Sequence, residues 1–448
     1  MLSNGHNARL KPFRVFPALA TGFSQQQRLG KSRQARQTAS PVFPPAATKK
    51  RNSDSPCATY PPCTGFALSS LQSERVKLTS LTGDAALDDE DANQRSSEIR
   101  LLPKPRRAYK DIMFEPEQPV LPKETSMNAK PEFSLVDTDG IRLRVAQVGK
   151  GPLIVLVHGW PESWYSWRHQ IPPLAAAGYR VAAIDVRGYG GSDKPEPIEA
   201  YSIKEMCTDI VGLIDGLGEK QAILIGHDWG APIVWNTSLF FPDKVRAVAG
   251  LSVPHTGRGP APRIQLFRNL YKDQFFYQLY FQNPGVAEAE FEADVRTSLR
   301  KIYYRSSGEG MKAGPRPQKP ADAKFLDGLA DPDPFPDWFT AADLDYYVEQ
   351  FKQSGFRGPL NRYRTSDLDF AQQEEIANRK IEQPAAFIAG QLDPVLSFIP
   401  GVDLVEVMRQ QVADLRLVRI IDGAGHWVQQ ERPNEVNAAL LEWLQGLA

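Results

Sequence analysis

The sequence predicts an α/β protein, with a mostly parallel sheet, helices on both faces and a helical lid inserted late in the chain. Three observations carry this. Short, continuous apolar runs recur after residue 130, with the character of strands buried on both faces. Helical periodicity intervenes between them, as a parallel sheet requires. The alternation breaks once, over residues 256–372, where the chain turns aromatic-rich and helical in pattern, with a Pro-rich loop from Pro315 to Pro336.

Taken in order, residues 1–125 come first. They are rich in Pro, Ser, Gln and Arg and show no apolar period. Such a stretch buries too little surface to offset its ordering entropy. It is basic up to its first acidic residue, Asp54, which is the composition of an organelle transit peptide. The simpler reading is a disordered extension, or sequence lying ahead of a start at Met127. The acidic patch Asp88–Asp91 reads as solvated.

From Glu132 the pattern changes. Phe133–Val136 and Arg142–Gln147 read as a hairpin turning at Asp139-Gly140. Buried strands follow at Leu153–Val157, Val181–Ile184, Ala222–Ile225 and Ala247–Leu251, then at Ala385–Ile388 and Leu415–Ile420. Ile203–Leu217 and Asn434–Leu444 carry helical spacing. The expected division is a core of residues 126–255 and 373–448, with 256–372 as the lid. A loop excursion of that length inside a compact domain is more often functional than idle.

Composition narrows the function. Of 448 residues, 53 are basic and 53 acidic, so there is no electrostatic footprint for nucleic acid or an anionic membrane. No apolar run reaches the ~20 residues of a membrane span. Three scattered cysteines, Cys57, Cys63 and Cys207, suggest neither a disulfide framework nor a zinc site. The expectation is a cytoplasmic or otherwise intracellular enzyme, imported into an organelle if the N-terminal segment is a transit peptide. No metal or cofactor is implied, and nothing signals an oligomeric state.

The chemistry sits at strand ends, where open α/β sheets bind ligands. Strand Ala222–Ile225 runs into Gly226-His227-Asp228-Trp229-Gly230 and then into helical Ala231–Leu239. This is a G-x-nucleophile-x-G elbow with Asp where ester hydrolases carry Ser. The two glycines relieve crowding at a sharp strand-to-helix turn. The turn sets the nucleophile near a helix N-terminus, which favours negative charge. An ordinary turn with Asp as helix cap is the alternative. A carboxylate attacking an acyl carbon would give an anhydride. Attack on a saturated carbon gives an alkyl ester of Asp228, which water can hydrolyse. That points to epoxides or alkyl halides.

Strand Leu153–Val157 ends in His158-Gly159-Trp160-Pro161, at the place that supplies an oxyanion N–H beside such an elbow. The expected donors are the backbone amides of Trp160 and Trp229. Of six histidines, only His426 follows the late strand Leu415–Ile420, in Gly423-Ala424-Gly425-His426-Trp427. Asp393, in Gly390-Gln391-Leu392-Asp393-Pro394, ends the strand before it. Asp393 would orient His426, and His426 would activate water.

These blocks, with Phe276-Tyr277-Gln278-Leu279-Tyr280-Phe281-Gln282-Asn283-Pro284-Gly285 and Gly355-Phe356-Arg357-Gly358-Pro359-Leu360-Asn361-Arg362-Tyr363-Arg364, resemble the epoxide hydrolases of the α/β-hydrolase fold. The chain is most similar to the hydrolase domain of soluble epoxide hydrolases. The resemblance covers roughly residues 130–448. It implies that Tyr277 and Tyr363 clamp the epoxide oxygen and that Trp160–Pro161 is cis. Phenols suit this work, because the departing alkoxide needs a proton at neutral pH. Tyr280, one turn from Tyr277, is a decoy, and both tyrosines have the alternative of simply filling the lid core. The vertebrate relatives carry a phosphatase domain ahead of the hydrolase. Here the first 125 residues are too short and polar for one, so no phosphatase activity is expected. Trp160, Trp229, Phe281 and Trp338 are expected to wall an apolar pocket for a small-molecule epoxide and water. The rivals are a haloalkane dehalogenase, which shares the elbow Asp and uses a Trp in the place of Trp229 but needs no tyrosine pair, and a non-catalytic ligand-binding protein of this fold.

Overall fold

The computed structural model describes residues 130–314 and 318–447. The expectations for residues 1–125, and for Pro315 at the start of the Pro-rich loop, lie outside them. Eight strands form one sheet: β1 (Glu132–Asp137), β2 (Arg142–Val148), β3 (Leu153–Val157), β4 (Arg180–Ile184), β5 (Ala222–His227), β6 (Val245–Leu251), β7 (Ala385–Gly390) and β8 (Leu415–Ile421). Their spatial order is β1-β2-β4-β3-β5-β6-β7-β8. The pairs β1–β2 and β2–β4 are antiparallel and the remainder parallel.

The pattern of side chains explains the arrangement. Every residue of β3, β5 and β7 is buried. Along β3 the pleat sends Val155 and Val157 into one core and Ile154 and Leu156 into the other, so each face of the sheet is packed. The outermost strand, β8, instead exposes Arg416 and Arg419, which blunts that edge. Gly140, at φ 89°, makes the tight β1–β2 turn that the sequence signalled. Helix Gly230–Phe240 is buried along its whole length, and Pro232 in its first turn lacks only an N–H that would have no helical partner.

Between β6 and β7 the chain builds a series of helices, including Arg263–Leu270, Tyr277–Tyr280, Val295–Ser306, Ala341–Ser354 and Arg357–Asn361. Asp294 caps Val295–Ser306, and Thr340 with Asp343 forms a capping box for Ala341–Ser354. No helix among the described residues is long and apolar enough to cross a membrane.

After β4 a loop carries Arg187, buried and paired through two nitrogens with Asp209 of helix Ile203–Gly216. Asp209→Ala strands that guanidinium in the interior. The expected loss is about 3–5 kcal/mol of unfolding free energy. Urea denaturation checks it, and a loss below ~1 kcal/mol would show that the pair does not anchor the loop.

Candidate active site

Asp228 follows β5 at φ 49°, a left-handed conformation that an Asp side chain tolerates better than most. A Cβ on Gly226 would strike the Gly230 carbonyl, and one on Gly230 would strike the Val157 carbonyl. Both neighbours are therefore restricted to glycine by contact. The elbow carries the carboxylate clear of the sheet, directly ahead of helix Gly230–Phe240.

The loop after β3 closes on it. The Trp160 amide donates to Asp228 Oδ1 at 2.7 Å. This is possible because residue 159 is glycine: a Cβ there would meet the Asp228 side chain and crowd the Trp229 amide nitrogen. The Trp160–Pro161 peptide is cis. His158 is not catalytic in this geometry. Its Nδ1 lies 2.8 Å from the Gly159 carbonyl and its Nε2 accepts from the Val186 amide at 3.1 Å, so the ring staples the loop to the chain after β4. Burial lowers its pKa, in keeping with a neutral ring.

His426, after β8, brings Nε2 to 3.3 Å from Asp228 Oδ2. Its Nδ1 lies 3.0 and 3.1 Å from the two oxygens of Asp393, after β7. Burial is the largest single influence on the imidazole and pushes its pKa down. The Asp393 and Asp228 carboxylates outweigh it, and the pKa stands well above the ordinary histidine value.

Two buried carboxylates hold these loops together, and neither was legible beforehand. Glu162 Oε2 accepts from the Gly159 amide at 3.0 Å and lies 2.7 Å from His227 Nδ1, while Oε1 accepts from Gln429 and Gln430. Burial alone would raise the Glu162 pKa, but His227 beside it draws it down to about 2. His227 Nε2 and the Ser252 hydroxyl both reach the His426 carbonyl at 2.8 Å. Glu431 accepts from the amides of Gly425 and Trp427, on either side of His426, and from Gly308 of the lid. Burial lifts its pKa to about 7. A sequence shows a Glu but not that loops will fold around it. The x position of the elbow, His227, was the one available hint.

The lid completes the enclosure. Tyr277 and Tyr363 have ring centroids 5.9 Å apart, and Tyr363 lies edge-on to Trp160 and Trp229 at 5.9 and 5.2 Å. Tyr280 points elsewhere, donating to Glu290. Two cavities, of about 100 and 120 Å³, meet at Asp228 and Tyr277. The first is also lined by Trp160, Tyr363, Phe325 and His426, and the second by Trp229, Phe267 and Arg263. Two expected wall residues need correction. Phe281 is fully buried behind the wall, against Trp160, Tyr277 and Tyr363. Trp338 packs at a tilt against Tyr303, Phe335 and Phe339 and donates to Glu309, and it lines neither cavity. Phe275, Phe276, Phe325 and Phe398 supply apolar wall instead. Among the described residues no group of three or more His, Cys, Asp or Glu side chains is placed to hold a metal.

A carboxylate set between an amide donor, a histidine–aspartate pair and two phenols can attack a saturated carbon, protonate the oxygen that leaves and hydrolyse the ester formed. Fold and elbow together define an α/β-hydrolase, and the family described as the alpha/beta hydrolase fold matches residues 152–433. The chain is 47% identical over 321 residues to epoxide hydrolase A of Mycobacterium tuberculosis, covering 71% of this chain and 98% of that one. It is 39% identical to bifunctional epoxide hydrolase 2 of Rattus norvegicus over 74% of this chain and 58% of the rat protein. Among solved structures it is similar to epoxide hydrolase A from Mycobacterium thermoresistibile, with 48% identity, a TM-score of 0.66, and coverage of 70% and 98%. This chain belongs to the epoxide hydrolases of the α/β-hydrolase fold.

Gly159→Ala tests the oxyanion loop. The added methyl displaces either the loop or the Asp228 carboxylate, so the variant folds but loses about 10²–10³ in kcat. Circular dichroism with steady-state kinetics checks this. A folded variant of near-normal kcat would show that the Trp160 amide is not a working donor.

Proposed function

We propose that this enzyme converts an apolar epoxide to a vicinal diol through an alkyl ester on Asp228. The observation that carries the reading is the division of labour at one carboxylate. Oδ1 is held by the Trp160 amide, while Oδ2 faces His426 and the cavity that Tyr277 and Tyr363 enclose.

In the first step Oδ2 bonds to an epoxide carbon and the ring C–O bond breaks. The ring oxygen, held by the two phenols, takes a proton from one of them. In the second step His426 removes a proton from water as its oxygen bonds to the Asp228 carbonyl carbon. Oδ1 becomes the oxyanion, opposite the amides of Trp160 and Trp229. The acyl–oxygen bond then breaks and the diol leaves with the proton held by His426, while the second proton of the water, left on the new Asp228 carboxyl, returns to the tyrosinate, so that the carboxylate and both phenols are restored. Asp393 keeps the imidazole in the required tautomer and supports its charge. Electrostatics time the base. While Asp228 is ionised it helps hold the His426 pKa up. Esterification removes that charge, so the imidazole becomes easier to deprotonate when it is needed.

Water and the epoxide are the only reactants this scheme needs. Apolar walls at Phe275, Phe325 and Phe398 favour an aryl- or alkyl-substituted ring. We also take the enzyme to work in a reducing compartment, cytoplasmic or reached by import, because its three scattered cysteines do not build a disulfide framework.

Styrene oxide and 1-chlorobutane, supplied in parallel, test the reaction class. Diol from the wild type is expected. Its loss in Asp228→Asn, and a fall of at least ~10²-fold in Tyr277→Phe/Tyr363→Phe, are expected with it. Chloride release without diol would make this a dehalogenase. His426→Gln should accumulate the ester, visible as a mass gain on the peptide containing Asp228. An unmodified peptide would remove the covalent step.

The pH dependence follows from the same groups. Burial first, then the Asp228 carboxylate, raise the pKa of both Tyr277 and Tyr363 above the ordinary phenol value of 10.0. A raised pKa keeps the proton on the phenol, so ring opening should hold its rate up to pH 10. Ester hydrolysis needs neutral His426 and should fall as the pH drops. Single-turnover profiles separate the two steps, and an alkaline collapse of ring opening below pH 9 would contradict the tyrosine assignment.

A further inference from the structure

The second cavity has a feature that the ester mechanism does not use. Trp229, beside the nucleophile, is flanked by two guanidinium groups, Arg362 at 4.4 Å and Arg263 at 5.3 Å from the indole centroid. Their circumstances differ. Arg362 is buried and committed, bonding Asp369 and the Tyr201 carbonyl. Asp369 is committed in turn to Arg362, Thr365 and the Ile203 amide. Arg263, at the start of helix Arg263–Leu270, has neither a hydrogen-bond acceptor nor an ion-pair partner among the described residues. Its side chain is exposed and lines the cavity. That places a cation where it meets both the cavity and solvent.

The rest of this arm is mostly apolar, with Pro232, Val253, Phe267, Phe398 and Leu404 in its wall. Its one acidic residue is Asp228, at the end shared with the first cavity. A guanidinium on such a wall can present its planar fork to a carboxylate. We propose that Arg263 is a specificity-determining residue that binds a carboxylate on the substrate, so that the second arm holds an aliphatic segment joining the epoxide at Asp228 to an anionic end. This rests on the epoxide-hydrolase reading of the same site and adds a polarity to it: the uncharged end of the substrate occupies the first arm and the acid end the second.

The test compares epoxyalkanoic acids carrying the ring at the 4,5, 6,7 or 9,10 position with their methyl esters, on wild type, Arg263→Gln and Arg263→Lys. For the spacing that fits, wild type should prefer the acid to its ester by at least ~10-fold in kcat/KM, mainly through KM. In Arg263→Gln that acid-to-ester ratio should fall by about the same factor, and Arg263→Lys should recover part of it. A role confined to folding would depress acid and ester alike and leave the ratio where it was, which would overturn the proposal. So would the absence of an acid preference at every spacing. If wild type hydrolysed none of the acids, none of the esters and no styrene oxide, it would be the epoxide-hydrolase reading that failed.

Discussion

Asp228 is held at φ 49°, at a turn so tight that residues 226 and 230 have no room for a Cβ. The rest of the site depends on that constraint. A left-handed residue costs roughly 1–2 kcal/mol, and it persists here because the sheet, the following helix and the neighbouring loop over-determine it. The turn lifts the carboxylate to where one oxygen meets the Trp160 amide and the other faces His426. The glycine at 159 completes the fit from the opposite side, since the loop reaches the carboxylate only if it carries no side chain at that point. Three glycines on two separate stretches of chain thus set one carboxylate.

The core and the lid contribute different chemistry. Strand ends place Asp228, the Trp160 amide and the His426–Asp393 pair, with Asp228, Trp160 and Asp393 following strands that are buried throughout. The lid provides the two phenols and most of the apolar cover. Glu431 joins them, because one carboxyl group takes amides from the His426 loop and from Gly308 of the lid. Glu162 plays the corresponding part within the core, linking the Gly159 amide to His227 and through it to the His426 backbone. The positions of the Gly159 loop, His426 and the lid are therefore coupled through buried hydrogen bonds, where loss of one partner leaves the other unsatisfied.

Much of this is legible in the chain itself. Strands buried on both faces leave continuous apolar runs, so the sequence bounds β3 to the residue, and β4 to β8 to within two residues at either end. Asp228, Asp393 and His426 were marked by their places after strands, and the structure brings the three side chains together. What resisted reading depends on which way side chains face. Phe281 and Trp338 are aromatic lid residues like Phe275 and Phe325, and composition does not say which of them face a cavity. Glu162 and Glu431 look like surface residues until loops from distant parts of the chain close over them. Arg263 differs from its neighbour Arg268 only in what the fold places opposite it.

The central claim is that Asp228, and not water, forms the first bond to the epoxide. One turnover in H₂¹⁸O, with enzyme in excess over styrene oxide, tests it most directly. If the ester forms, the oxygen added to the diol comes from Asp228, so the first-turnover diol carries no ¹⁸O and the peptide containing Asp228 gains the label. Diol labelled in that first turnover, with an unlabelled Asp228 peptide, would mean that water attacks the ring directly and that Asp228 is not the nucleophile.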